Sequence, residues 1–190
     1  MIIPSTPAAR LPELLSRERF IRIAAHAGFV ADVVGDRYAV LVLEVDQLDL
    51  IRARHGGAVA AVCDGVVSQR LRETIPSDAI ASRLREDGYG MLAFGATTES
   101  LAFDLATALH ARMRAPIHTH GRELLLSVSV GLAFTRPGVR AIDALRAAER
   151  AVIRVRQNGG DATFMSRVAP PPPQARRSGA VRHATERDVA

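Results

Sequence analysis

The stretch YAVLVLEV at residues 38–45 restricts the fold of this 190-residue chain more than any other segment. It is nearly all apolar and rich in β-branched side chains, which is typical of a strand that is buried on both faces. The chain is therefore predicted to contain a sheet that encloses this strand. The C-terminal end of the strand presents two acids, Glu44 and Asp46, where the backbone leaves the core.

Helical and extended segments alternate around this strand. Apolar residues recur at helical spacing over 14–27, and Gly28 is predicted to end that first helix. The further predicted segments are helices over 48–54, 58–73, 99–113 and 142–156, hairpins over 79–94 and 116–134, and a closing strand over 162–165. The second hairpin is predicted to return along one long strand, 122–134. This order predicts an α/β (α+β) sandwich, with a mixed central β-sheet and helices packed around it.

The stretch RLREDGYGMLAF at residues 83–94 forms the first predicted hairpin. Asp87 and Gly88 stand between its two strands, and Asp-Gly is a favoured pair for a type I′ corner. The same corner carries a second acid, Glu86, directly after Arg85. The local pattern leaves open whether these acids take part in chemistry or only in the turn.

Composition limits the classes of partner. Aromatic residues make up 4% of the chain and Trp is absent, so a stacking platform for single-stranded nucleic acid is not expected. The net charge is +5, but the segment 167–190 carries five arginines against two acids. The remainder is close to neutral, and we do not expect nucleic-acid binding.

The chain is predicted to form one domain with two unstructured ends. Residues 1–10 show no helical or strand pattern, and the segment 167–190 contains the run PPPP among polar residues, which cannot continue a core. We therefore predict a domain over 11–166, a disordered N-terminus and a disordered Pro/Arg-rich tail.

A cytoplasmic location is expected. Cys63 is the only cysteine, so no disulfide can form within the chain. No run approaches the roughly 18 apolar residues that span a membrane, and the N-terminal residues lack the layout of a signal peptide.

Five phrases, in order, resemble the GGDEF domain of bacterial diguanylate cyclases over roughly residues 11–165. They are LPELLSRERF, EVDQL for the family's DxDxF, RLREDGYGMLAF for RLGGDEFAVLL, SVSVGLAF for VSIGVA, and AERAVIRVRQNGGD for ADxALYxAKxxGRN. No single phrase is decisive, but their order and spacing are specific. The resemblance implies a GGDEF/nucleotidyl-cyclase-like fold. It also implies an activity in which two facing domains condense two GTP molecules into cyclic di-GMP with Mg²⁺.

The resemblance places the family's metal-binding acids on Glu44, Asp46 and Asp87. The glycines that let backbone approach the phosphates fall on Arg85 and Glu86. The remaining letters of the motif put Gly88 in place of an acid and Tyr89 in place of the aromatic residue. Because the glycines and one acid are replaced, we interpret the motif as vestigial and expect no intact catalytic set. Its members are Arg85, Glu86, Asp87, Gly88 and Tyr89.

The positions that would read guanine are also changed. The family's Asn and Asp fall on Arg52 and Ala61, and neither can accept a hydrogen bond from the base. Arg156 stands where the family has a phosphate-binding Lys, so Arg52 and Arg156 are the candidate nucleotide contacts. The RxxD phrase of the product-inhibition site falls on Pro76 and Ala79, and no such site is expected.

We expect a degenerate GGDEF domain without diguanylate cyclase activity, which acts as a regulatory or protein-interaction module in bacterial signalling. Two alternatives stay open: a weak or conditional cyclase that uses Glu44, Asp46 and Asp87, and a nucleotide sensor without turnover. No cofactor is expected, and Mg²⁺ is expected only if nucleotide binding is retained. The expected partner is another protein, such as a separate sensory protein, and a dimer is a further option. Whether GTP or cyclic di-GMP binds is left open.

Overall fold

The computed structural model describes residues 12–168. The predicted disordered N-terminus and almost all of the predicted tail lie outside the described residues. Of that tail, Arg167 and Val168 are described, and Val168 is buried.

Five helices and seven strands make up the described chain. From the N-terminal end they are α1 Arg17–Val34, β1 Ala39–Val45, α2 Leu48–His55, α3 Gly57–Thr74, β2 Ala79–Arg83, β3 Gly88–Ala93, α4 Glu99–Met113, β4 Ile117–Thr119, β5 Arg122–Leu124, β6 Val128–Phe134, α5 Ala141–Gln157 and β7 Thr163–Ser166.

β1 lies at the centre of a five-stranded sheet with the order β2-β3-β1-β6-β7. It pairs antiparallel with β3 on one edge and with β6 on the other, while β6 and β7 are parallel. All seven residues of β1 are buried, as its apolar sequence predicts. The prediction of a mixed central sheet is confirmed.

Alternate residues of β1 face two separate hydrophobic layers. Leu41 and Leu43 pack with the apolar faces of α3 and α4, whereas Val40 and Val42 pack with those of α1 and α5. Helices therefore cover both faces of the sheet, which confirms the predicted sandwich. The closest approach is at Gly131 of β6, where an added Cβ would lie 2.0 Å from the carbonyl oxygen of Ala148 in α5.

The predicted end of the first helix is wrong. Gly28 lies inside α1, which continues to Val34 and ends at Gly35 with a φ of 76°. A Cβ at Gly28 would lie 3.1 Å from the Cβ of Ala141, so the glycine permits close packing of α1 on α5. A glycine inside a helix thus reflects a tertiary contact here and not a helix end.

The single return strand predicted over 122–134 is also wrong. β5 ends at Leu124 and pairs only with β4, and β6 begins at Val128 within the main sheet. The run LLLSVSV contains no Gly, Pro or charged residue and so gave no local signal for the break.

The type I′ corner predicted at Asp87 and Gly88 is wrong as well. Neither residue has a positive φ, and Gly88 is the first residue of β3, opposite Glu44 of β1. The turn instead covers 84–87, and the amides of Leu84 and Arg85 both donate to the carbonyl of Gly88, at 2.9 and 3.1 Å. Pairing with the central strand therefore overrides the local turn preference.

Candidate functional site

The three predicted metal acids meet at the C-terminal end of β1. Glu44 and Asp46 are 3% and 6% exposed. Glu44 lies opposite Gly88 on β3 and opposite Ser129 on β6. Asp87 enters from the turn, where its carbonyl accepts from the amide of Val45 at 2.8 Å. The register of the sheet thus fixes all three acids at one end of the central strand.

Both carboxylate oxygens of Glu44 are paired with arginine. Nη1 of Arg156, from the last turn of α5, donates to Oε2 at 2.7 Å. Nη2 of Arg85, from the turn, donates to Oε1. A Cβ at Gly88 would lie 3.5 Å from both Arg85 Nε and Glu44 Cγ, in ordinary van der Waals contact with this pair. The buried carboxylate is therefore held between two guanidinium groups.

Arg156 also faces the other two acids. Its Nε lies 3.7 Å from Oδ1 of Asp46, and its Nη1 lies 3.7 Å from Oδ2 of Asp87. The hydrogen bond to Glu44, followed by the charges of the three carboxylates, raises the pKa of Arg156, although partial burial acts against this. We name Glu44, Asp46, Asp87, Arg85 and Arg156 the arginine–carboxylate cluster. Its three anions and two cations leave one net negative charge.

Asp46 has a structural role that the sequence did not indicate. Its Oδ1 accepts from Ser129 Oγ at 2.8 Å, and its Oδ2 accepts from the amide of Asp161 at 3.0 Å. These contacts join the end of β1 to β6 and to the loop between α5 and β7. Ser129 and Asp161 were missed as cluster neighbours because no motif spacing points to either.

The candidate guanine position is occupied by a separate ion pair. Arg52 of α2 donates to Glu86 of the turn and, at 3.2 Å, to Asp49 of its own helix. Ala61, the second candidate position, is exposed on α3 and offers no polar side-chain atom. Arg52 is thus paired with Glu86, which replaces the second glycine of the motif.

A further polar group supports the turn from its other side. Nη2 of Arg83 donates to Asp64 at 2.8 Å and to the Tyr89 hydroxyl at 2.7 Å, and that hydroxyl donates to Asp64 at 2.9 Å. Nη1 of Arg83 donates to the carbonyl of Glu86 at 2.7 Å. Burial, together with the charge of Asp64, raises the pKa of Tyr89. Sequence reasoning missed this group, which holds the turn in place.

The two guanidinium groups of the cluster oppose a magnesium ion at Glu44. Mg²⁺ needs oxygen ligands in near-octahedral geometry. Both oxygens of Glu44 and both oxygens of Asp46 already accept hydrogen bonds, and guanidinium groups offer no lone pair. Over residues 12–168, no group of three or more His, Cys, Asp and Glu side chains is arranged to hold a metal.

None of the helices within 12–168 combines the length and apolarity needed to cross a membrane.

Comparison with known proteins gives one family. The model described as "Diguanylate cyclase, GGDEF domain" matches residues 10–162. The uncharacterized protein y4lL of Sinorhizobium fredii is 30% identical over 145 residues, which cover 76% of this chain and 17% of that protein. The chain thus spans about a fifth of the length of the curated relatives it matches.

Solved GGDEF structures share the fold. The GGDEF domain of YfiN (TpbB) from Pseudomonas aeruginosa superposes with a TM-score of 0.76 at 22% identity, covering 82% of this chain and 92% of that one. The diguanylate cyclase SiaD, solved in complex with its activator SiaC from the same species, gives 0.75 at 15% identity, with 80% and 59% covered. Because the family model matches residues 10–162, which are most of this chain, the chain belongs to the GGDEF domain family.

Proposed function

We propose that this GGDEF-family protein does not make cyclic di-GMP and acts as a regulatory or protein-interaction module in bacterial signalling. One observation carries the proposal: both oxygens of the Glu44 carboxylate are paired with Arg85 and Arg156. The resemblance puts a metal-binding acid at Glu44 and a glycine at Arg85. The guanidinium group of Arg85 is therefore paired with the carboxylate, Glu44, that would otherwise bind the metal.

The turn itself opposes a triphosphate. Glu86, whose side chain is 72% exposed, puts a carboxylate where the resemblance puts a phosphate-facing glycine, and carboxylate and phosphate oxygens repel each other. Removing Arg85 from Glu44 to admit a metal would leave a nearly buried acid with one partner fewer, which costs free energy. Arg52 is paired with Glu86 and Asp49 and can offer no acceptor to a guanine base.

The proposed setting is the cytoplasm, and the proposed partner is another protein. The structural neighbour SiaD has been solved with an activator protein, and the same kind of association is proposed for this chain. No cofactor is proposed.

The test is to incubate the purified protein with GTP and MgCl₂ and to measure cyclic di-GMP by mass spectrometry and the melting temperature by fluorimetry. An active diguanylate cyclase serves as the positive control. We expect neither product nor a shift in melting temperature. Product would refute the proposal and establish the weak cyclase, whereas a shift without product would establish the nucleotide sensor in its place.

A repaired variant sharpens this test. The triple change Arg85→Gly, Glu86→Gly and Gly88→Glu restores the first four letters of the motif but leaves Arg52 and Ala61 unchanged. We expect this variant to stay inactive because neither Arg52 nor Ala61 can accept a hydrogen bond from guanine. Cyclic di-GMP from the triple variant would show that the base-binding positions do not limit activity.

A further inference from the structure

The C-terminal half of α1 carries an exposed apolar surface. Within residues 12–168, eleven large apolar side chains are exposed, and four of them lie within six consecutive residues of this helix. The other seven are spread over α2, α3, α4, α5, β7 and the loop after β5. Contiguous exposed apolar surface marks an interaction site, whereas isolated residues do not. We name this surface the α1 patch, and its members are Phe29, Val30, Val33 and Val34, which are 43% to 71% exposed.

The α1 patch lies on the side of the helix that faces away from the sheet. Phe20, Ala24 and Ala31 are buried in the core below α1. Phe29 and Val33, which are one turn apart, lie on the exposed side. The patch therefore gains little from folding of the described chain, and burying it requires a partner.

An apolar groove with a volume of about 290 Å³ lies next to Phe29. It runs between α1 and the start of α5, where Gly28 and Ala141 approach closely. Val139 and Ile142 contribute to its lining. An exposed aromatic ring thus stands beside an apolar groove on the same face. Across a two-fold axis, each copy can insert its Phe29 ring into the groove of the other, because a two-fold interface uses the same surface twice.

The charges along α1 favour an antiparallel arrangement of two copies. The segment 17–22 contains three arginines and one acid, whereas the segment 29–36 contains two acids and no basic residue. Arg22 and Asp36 lie seven positions before and after Phe29, and both are exposed. In an antiparallel pair centred on Phe29, the basic part of each helix meets the acidic part of the other. A parallel pair would instead oppose like charges.

We propose that two copies of this chain associate through their α1 patches, with the two α1 helices antiparallel across a two-fold axis near Phe29. Each copy contributes one helix and the groove beside it. Such a contact falls among the small, transient interfaces, which bury less than about 1,200 Å² in total. We therefore expect a reversible dimer with a dissociation constant in the micromolar range.

The proposed dimer does not bring the two arginine–carboxylate clusters together. α1 ends at Val34 and β1 begins at Ala39, so the α1 patch lies near the N-terminal end of β1. Glu44 and Asp46 lie at the other end of this strand, which spans roughly 20 Å at about 3.3 Å per residue. The arrangement therefore differs from the two facing domains that the family activity needs. It also does not depend on whether the protein makes cyclic di-GMP.

Sedimentation velocity of the full chain, from low to high micromolar concentration and without nucleotide, tests the proposal. We expect a monomer at the low end and a dimer at the high end. Phe29→Asp and Val33→Asp each place a charge in the contact and should weaken the dimer by about tenfold or more. Both residues are exposed, so the melting temperatures of these variants should match that of the parent protein. The matched control is Phe103→Asp, which changes an exposed phenylalanine on α4 and should leave dimerisation unchanged.

Charge reversal tests the orientation of the two helices. Arg22→Asp and Asp36→Arg should each weaken the dimer, because each opposes like charges in the antiparallel pair. The double variant, Arg22→Asp with Asp36→Arg, should restore dimerisation. A protein that is monomeric at every concentration would overturn the proposal, as would a dimer that Phe29→Asp leaves intact. Single charge reversals without effect would overturn the antiparallel arrangement.

Discussion

Replacing Glu44 by Gln tests the charge balance at the end of β1 through the sign of the stability change. In a carboxylate cluster without cations, neutralising one acid relieves repulsion and stabilises the fold. In the arginine–carboxylate cluster, the same change removes the partner of Arg85 and Arg156. We therefore expect Glu44→Gln to destabilise the protein.

The magnitude follows from the contacts of Glu44. Two unit charges about 4 Å apart attract by about 4 kcal/mol at an effective dielectric constant near 20. The side chains of Arg85 and Arg156 are 49% and 43% exposed, so water screens part of this attraction. The neutral amide also avoids the cost of burying a charge. With both corrections, we expect the free energy of unfolding to fall by about 1 to 2 kcal/mol.

The assay is urea unfolding followed by circular dichroism at 222 nm, with EDTA and then with MgCl₂. Glu86→Gln is the matched control, because that acid is 72% exposed and its loss should change stability by less than about 0.5 kcal/mol. MgCl₂ should leave the midpoints of both variants and of the parent protein unchanged. A stabilised Glu44→Gln protein, or a parent protein stabilised by Mg²⁺, would refute the reasoning that arginine satisfies this acid.

Three further changes test the sheet and its burial. Gly131→Ala brings a Cβ to within 2.0 Å of the carbonyl oxygen of Ala148, and urea unfolding should show a loss of about 3 kcal/mol. Ser129→Ala leaves the buried Asp46 one donor short and should cost about 1 to 2 kcal/mol in the same assay, where an unchanged midpoint would contradict the role of that bond. Burial raises the pKa of Tyr38 from 10 to about 12, so the free energy of unfolding should fall as pH rises from 10 through 12. Tyr38→Phe should remove that part of the decline, and identical pH profiles for the two proteins would contradict it.

The elements with strong local signals could be predicted from the sequence. α4 is predicted over 99–113 from the spacing of its apolar residues and found over Glu99–Met113, where Thr98 caps the first turn by accepting from the amide of Leu101. β1 is predicted by its unbroken apolar run. The errors fall at Gly28, at Asp87-Gly88 and in the strand predicted over 122–134, where contacts between distant segments decide the backbone. Local propensity carries no information on such contacts.

In the candidate site, the positions of the acids could be predicted, whereas their hydrogen-bond partners could not. The resemblance brings Glu44, Asp46 and Asp87 to one place, as the structure also does. The arginine pairing could not be predicted, since Arg156 is 112 positions from Glu44 and reaches it only because α5 crosses the sheet at that point. The contacts of Asp46 with Ser129 likewise depend on the register of β1 with β6.

The central position of β1 has a consequence for how the chain folds during synthesis. Its two neighbours, β3 and β6, are made later, and β6 is completed only at Phe134, roughly 90 residues after β1 ends. At ribosomal rates of about 5 to 20 residues per second, that interval lasts roughly 5 to 18 s. During this time, at least one edge of an apolar strand stays unpaired and exposed to other nascent chains. Yield of the folded protein should therefore depend on chaperones that bind emerging strands, and more so when translation is slow.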